Sequence, residues 1–160
     1  MPYESIFKEG IFRGRQFVVT GGGSGIGRCT AHELAALGGH VTILGRTQEK
    51  LERTVAEIRD DGGQADFAVC DIRVEETVKE TVSSILKKVG VVHGLVNNAG
   101  GQYPSPLSAI NQKGFETVVR TNLVGGFLMA REIYSQCMSS KGGAIVNITA
   151  DHHGGMPGMG

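Results

Sequence analysis

The sequence is constrained most by a glycine-rich segment, residues 20–27, which reads TGGGSGIG. It follows an apolar run at 16–19 whose length and β-branched residues are typical of a buried strand. It precedes residues 28–37, which have the composition of a helix closed by Gly38 and Gly39. A strand, a glycine turn and a helix in this order direct unpaired N–H groups and the positive end of the helix dipole at an anion. The segment therefore predicts a phosphate-binding turn.

Short apolar runs alternate with helical segments along the rest of the chain. Further strands are predicted at 40–44, 65–70, 91–96 and 144–148. The helices between them are predicted to begin after Thr47, at a cap formed by Asp71, and at about 112, the last ending near 139. Continuous apolar strands favour a parallel sheet covered on both faces. The fold class predicted for residues 1–160, taken as one domain, is α/β: a doubly wound (Rossmann) parallel sheet in the order 3-2-1-4-5.

Composition excludes several classes of function. Lys plus Arg and Asp plus Glu both number 16, so no net field attracts nucleic acid or an anionic membrane. No run of about 18 apolar residues is present for a membrane span, and the N-terminus lacks a secretory pattern, which favours a cytoplasmic protein. The three cysteines are expected to be buried free thiols in a reducing compartment. No metal site is predicted, because adjacent His152 and His153 point apart in a loop and lack a third ligand.

The end of the second strand bears on the choice of cofactor. A NAD site usually places Asp or Glu there to bind the ribose 2′-hydroxyl, whereas this chain has Gly45 and Arg46. A guanidinium pairs well with a 2′-phosphate, and the helix dipole disfavours a cation without such a partner. Arg46 therefore favours NADP(H) over NAD(H); the alternative is a solvated arginine.

Polar residues end the third and fourth strands. Asp71 is interpreted as a helix cap, as a carboxylate near an adenine amino group, or as both. Residues 97–100, NNAG, lie at the carboxyl edge where open α/β sheets bind ligands, although a purely structural turn is the alternative. Asn122 is a polar residue within an apolar helix and needs a hydrogen-bond partner.

The motifs at 20–27 and 97–100, together with Asn122 in TNL, resemble those of the short-chain dehydrogenase/reductase family. The resemblance implies that Thr20 and the glycines hold the pyrophosphate and that Asp71 and Ile72 flank the adenine. It also implies that Asn122 orders a proton-relay water. With Arg46 added, the expected cofactor-binding residues are Thr20, Gly21, Gly23, Ser24, Gly25, Ile26, Gly27, Arg46, Asp71, Ile72, Asn98, Ala99 and Gly100.

Residues 70–73, 97–102, 113–115 and 142–148 resemble a subgroup, the trans-2-enoyl-CoA reductases of the peroxisomal type. This implies reduction of the C2=C3 bond of an enoyl thioester by NADPH. The family's catalytic Ser is replaced by Ala150, which disfavours carbonyl chemistry and favours the enoyl reductases. Thr149 is a substitute hydroxyl for catalysis, or a residue chosen for its strand propensity. The alternatives are an NADP-dependent alcohol or ketone dehydrogenase and a non-catalytic nucleotide-binding remnant.

The family's Tyr-x-x-x-Lys motif is expected just beyond Gly160. From this we expect the C-terminal strands and helices of the fold to be missing, and residues 1–160 alone to have little or no turnover. The resemblance implies that the full-length form is a homo-oligomer acting on a small molecule. A peroxisomal location is an alternative, since the C-terminus that carries such a signal is not present.

Overall fold

The computed structural model describes residues 3–150. All strands are parallel and form one sheet in the order β3-β2-β1-β4-β5, which confirms the predicted Rossmann topology. The strands are β1 Gln16–Thr20, β2 His40–Gly45, β3 Gln64–Val69, β4 Gly94–Asn97 and β5 Ala144–Asn147. The helices that connect the first four strands are α1 Gly25–Ala36, α2 Gln48–Asp60 and α3 Glu75–Val89.

A long helix connects β4 to β5 and runs from Gln112 to Lys141 without a break. Its start is capped by Asn111, whose Oδ1 accepts a hydrogen bond from the Gly114 N–H at 2.8 Å. Two stretches, Arg120–Gly125 and Tyr134–Met138, are π-helical. The prediction of one helix over about 112–139 is correct in extent, but apolar spacing does not reveal a local change in helix type.

Each strand contributes side chains to both faces of the sheet. Val18 of β1 packs with α3 and the long helix, whereas Val19 packs with α1 and α2 on the other face. Both are at most 1% exposed, and full burial of such a side chain contributes about 1.5–3 kcal/mol. Two-sided burial explains the continuous apolar runs of the inner strands β1, β2 and β4. The edge strand β5 is exposed in this structure.

Besides shifts of one residue at the ends of β2, β3 and β5, four details differ from the sequence-based expectations. The helix α1 begins at Gly25 rather than Arg28, and β4 begins at Gly94 rather than at 91. Asp71 does not cap α3, whose N-cap position is Val74, because the Asp71 carboxylate binds Arg73 instead. Cys29 is exposed, so the expectation that all the cysteines are buried is wrong; Cys70 and Cys137 are buried, and all three are free thiols.

None of the helices in residues 3–150 combines the length and the apolar composition that a membrane span requires. Over the same residues, the structure brings no three potential metal ligands together. His152 and His153 lie outside the described residues.

Candidate functional site

The glycine turn brings three segments of the chain closer together than side chains allow. Gly21 and Gly25 have φ angles of +69° and +52°, in the left-handed region that favours glycine. A Cβ on Gly27 would lie 2.4 Å from both Asn98 Nδ2 and the Gly21 carbonyl oxygen. The start of α1 therefore packs directly on the turns that follow β1 and β4.

The hydroxyl of Thr20 joins these two turns. Its Oγ1 accepts hydrogen bonds from the backbone N–H groups of Asn98, at 3.0 Å, and Ala99, at 2.9 Å, and donates to the Val96 carbonyl at 3.4 Å. Thr20 is only 1% exposed. The Asn98 side chain reinforces the junction by donating from Nδ2 to the Thr20 carbonyl at 3.0 Å. Thr20 and Asn98 thus fix the shape of the site from beneath it.

A first crevice of about 290 Å³ runs along the carboxyl ends of β1 to β4. It brings together nine of the predicted cofactor-binding residues: Gly21, Gly23, Ser24, Arg46, Asp71, Ile72, Asn98, Ala99 and Gly100. Thr20 and Gly27 are buried beneath the lining, Gly25 lies outside it at the exposed start of α1, and Ile26 lines a different crevice. Sequence reasoning missed Lys50 and Arg73, which also line the first crevice.

Three cationic side chains line the first crevice beside the ends of β2 and β3, which is where the resemblance implies that the adenine binds. Arg46 and Lys50 are exposed at its rim. The last residue of β2 is Gly45, so no Asp or Glu stands at the end of that strand. Arg73 binds Asp71 through Nη2 to Oδ2 at 2.6 Å and through Nε to Oδ1 at 2.9 Å. This hydrogen bonding to Arg73, together with the nearby charge of Arg46, lowers the pKa of Asp71 to about 2. Asp71 is therefore a fixed anion, while Arg46 and Lys50 remain exposed cations.

A second crevice of about 750 Å³ lies at the carboxyl ends of β4 and β5. It contains Asn122 and Thr149, the two residues predicted to be catalytic, together with Ala150. Its apolar lining includes Ile26, Leu123, Phe127, Ala130 and Ile148. Ala99 and Gly100 line both crevices, so the two are adjacent.

The amide of Asn122 finds its partner in the loop after β4. Its Nδ2 donates to the Gly101 carbonyl at 3.0 Å, and its Oδ1 accepts from the Gly101 N–H at 2.9 Å. Asn122 lies within the π-helical stretch Arg120–Gly125, a distortion found often at functional sites. In this structure the side chain positions the loop that lines both crevices, which is a different task from the water-ordering role implied by the resemblance.

Sequence reasoning also missed a pair of amides at the end of the sheet. Asn97 and Asn147 are partners in the register of β4 and β5, and Asn97 Nδ2 donates to Asn147 Oδ1 at 3.0 Å. The same Nδ2 donates to the Gly126 carbonyl of the long helix at 3.1 Å. The motif residue Asn97 therefore ties the second crevice to the helix that forms its wall.

Comparison with known proteins gives close matches. A solved structure, the citronellol catabolism dehydrogenase of Pseudomonas aeruginosa PAO1, is 64% identical with a TM-score of 0.93, and the match covers 98% of this chain and 64% of that one. NAD⁺-bound xylitol dehydrogenase is 36% identical with a TM-score of 0.86, covering 93% of this chain and 58% of that one.

A curated relative is the peroxisomal 2,4-dienoyl-CoA reductase of Danio rerio, 32% identical over 149 residues, which are 92% of this chain and 50% of the relative. The chain thus spans about half the length of this relative. The sequence model of one protein family, described as short chain dehydrogenase, matches residues 15–159. Since that match takes in almost the whole sequence, the chain belongs to the short-chain dehydrogenase family.

Proposed function

We propose that the protein is an NADP(H)-dependent oxidoreductase that reduces the C2=C3 bond of an enoyl thioester. The observation that carries this proposal is Ala150, which brings a methyl group instead of a hydroxyl to the second crevice, beside Asn122 and Thr149. A reductase of C=C bonds does not need a hydroxyl to hold a reacting alcohol or ketone oxygen. The similarity to a peroxisomal 2,4-dienoyl-CoA reductase supports the same substrate class.

The first crevice fits a dinucleotide. Its floor is a glycine turn so close-packed that a Cβ on Gly27 would collide with Asn98 and Gly21, and the N-terminus of α1 opens onto it. Gly21, Gly23 and Ser24 would hold the pyrophosphate, and Asp71 with Ile72 would flank the adenine. When bound, the nicotinamide supplies a hydride to the β-carbon of the thioester. Ala99 and Gly100, common to both crevices, are where cofactor and substrate would meet.

The exposed cations support NADP(H) over NAD(H). Arg46 and Lys50 lie at the rim of the first crevice, and no carboxylate at the end of β2 competes for the ribose. Asp71, the carboxylate in the lining, is already paired with Arg73. A 2′-phosphate would therefore meet an arginine able to bind it through two hydrogen bonds, with a lysine nearby.

The second crevice suits an acyl chain. Phe127 and Leu123 are 58% and 68% exposed, so an apolar ligand can cover surface that water now contacts. Asn122 fixes Gly101 and with it the loop between the crevices. These residues would place an apolar substrate beside Ala99 and Gly100.

Purified protein from the complete reading frame tests this function. We expect it to reduce crotonyl-CoA with NADPH, as measured by the loss of NADPH absorbance and by identification of butyryl-CoA. An omission control without the thioester measures background oxidation. Failure to reduce crotonyl-CoA and longer enoyl-CoA substrates, with NADPH bound, would contradict the proposal.

A second candidate is oxidation of an apolar alcohol. It is favoured by the 64% identity to a citronellol catabolism dehydrogenase. The apolar second crevice accommodates an isoprenoid chain as readily as an acyl chain, whereas Ala150 argues against alcohol chemistry. Assays with citronellol and NADP⁺ or NAD⁺, on the same preparation, decide between the two.

A further inference from the structure

We propose that Asn147 donates a hydrogen bond from Nδ2 to a carbonyl oxygen of the ligand bound in the second crevice. This inference rests on the proposed function, because the nicotinamide carboxamide and an acyl thioester both carry such an oxygen. Asn147 is the last residue of β5, is exposed and lines the second crevice with Asn122 and Thr149.

The orientation of the Asn147 amide follows from a chain of hydrogen bonds. The Gly126 carbonyl can only accept, so the Asn97 atom 3.1 Å from it must be the nitrogen. That nitrogen also lies 3.0 Å from Asn147, so the Asn147 atom facing it must be the oxygen. The NH₂ group of Asn147 is then the free end of its amide, and it has no acceptor among residues 3–150.

The Asn97 side chain that sets this orientation is firmly held. It is 9% exposed and contacts β5 and the long helix through one nitrogen. Its Oδ1 is buried without a donor among the described residues. A buried oxygen left unpaired costs free energy. The Asn97 amide therefore does not maximise stability in this orientation, and we explain the orientation by the way it holds the Asn147 side chain.

The donor lies where the proposed reaction needs one. Hydride addition to C3 of an enoyl thioester breaks the C2=C3 π bond and moves its electrons onto the thioester carbonyl oxygen as an enolate. The enolate then takes a proton from water at C2, which restores the carbonyl. A fixed N–H directed at that oxygen stabilises the developing charge. Ala150 brings no hydroxyl to the same crevice, so its neutral donors at the end of β5 are the Asn147 amide and the Thr149 hydroxyl. Of these two, the Asn147 amide is the one whose orientation is fixed by a neighbouring side chain, that of Asn97.

Two substitutions test the donor. Asn147→Asp keeps an oxygen for Asn97 but replaces the free NH₂ with an acceptor, and Asn147→Ala removes the donor without adding charge. The matched control is Gln64→Glu, an amide-to-carboxylate change at the exposed start of β3, at the opposite end of the sheet. Thermal unfolding of all variants, made in the protein from the complete reading frame, verifies that they fold.

Two measurements decide whether the carbonyl oxygen belongs to the thioester or to the nicotinamide carboxamide. They are the affinity for NADPH, from fluorescence titration, and the kcat for crotonyl-CoA. If the thioester is the acceptor, kcat falls about 100-fold or more in both variants while NADPH affinity is unchanged. If the carboxamide is the acceptor, the Kd for NADPH rises roughly three- to tenfold in both, as expected for one neutral hydrogen bond. The Gln64→Glu protein should match the wild type in both measurements.

The inference is overturned if both Asn147 variants keep the wild-type Kd for NADPH and the wild-type kcat for crotonyl-CoA. It is also overturned if the Asp variant alone is affected, since that effect would be due to the added charge. A wild-type protein that binds NADPH but reduces no enoyl thioester refutes the proposed function separately. In that case the NADPH titration still decides, since unchanged affinity in both variants overturns the donor role of Asn147.

Discussion

The Thr20 hydroxyl accepts a hydrogen bond from the backbone N–H of Asn98 at 3.0 Å, in the buried junction of the turns after β1 and β4. It also accepts one from Ala99 at 2.9 Å. The residue that begins the glycine motif is thereby coupled to the motif that ends β4. The glycine turn and the loop between the two crevices are thus held together by hydrogen bonds to one buried side chain.

Removing this hydroxyl should destabilise the fold and weaken cofactor binding together. Thr20→Val preserves shape but leaves two partly buried N–H groups unpaired, so we expect a loss of about 1–3 kcal/mol in the free energy of unfolding. Thr20→Ser retains the hydroxyl and should lose clearly less. Urea denaturation and NADPH titration measure both effects; equal stability of the two variants would show that the hydrogen bonds contribute little.

The sequence predicts the strands because their signals are local, and the handedness of the connections then favours one order in the sheet. An apolar run followed by glycines identifies β1 and the turn at 20–27 without knowledge of distant residues. By contrast, the use of the Thr20 hydroxyl depends on residues brought close only in the folded chain, so it cannot be deduced from spacing. The same is true of Lys50, whose place at the first crevice depends on how α2 packs.

Asp71 shows a different limit of the sequence. Both a helix cap and a pairing with Arg73 are chemically reasonable for a carboxylate at this position. In the structure Asp71 accepts from the Arg73 side chain at 2.6 Å and from its backbone N–H at 3.1 Å, and α3 begins four residues after Asp71. A competition between two local partners is decided by the geometry of the β3–α3 turn, which a sequence pattern does not specify.

A methyl group at Gly27 should be strongly destabilising. Its Cβ would lie 2.4 Å from the Gly21 carbonyl oxygen, so the turn must move, at a cost of about 1–3 kcal/mol or more for Gly27→Ala. The matched control is Gly126→Ala in the long helix, where the nearest atom would be at 3.8 Å. That substitution should be neutral or slightly stabilising, since alanine favours helices. Chemical denaturation compares the two; similar losses would contradict the packing argument.

Reversal of charge at Arg46 should change cofactor preference. Arg46→Glu removes the cation at the rim of the first crevice and offers a carboxylate to a ribose hydroxyl, so NADPH affinity should fall at least about tenfold relative to NADH. Lys50→Gln should have a smaller effect in the same direction. Fluorescence titrations with both cofactors measure this, with Arg53→Gln on the exposed face of α2 as the control. Equal losses for NADPH and NADH would show that Arg46 does not bind the 2′-phosphate.

The Asp71–Arg73 pair should make stability depend on pH in acid. Hydrogen bonding to Arg73 lowers the pKa of Asp71 from 3.8 to about 2 in the folded protein. Because the folded-state pKa is depressed, the stabilisation is fully present above pH 3.8 and is lost as the pH falls from 3.8 towards about 2. Arg73→Gln removes the guanidinium, so the difference in unfolding free energy between wild type and variant should be constant near neutrality and shrink below about pH 4. Urea denaturation from pH 7 down to the lowest pH at which the protein stays folded measures this difference. If the difference in unfolding free energy does not narrow in acid, the Asp71–Arg73 pair does not stabilise the folded state.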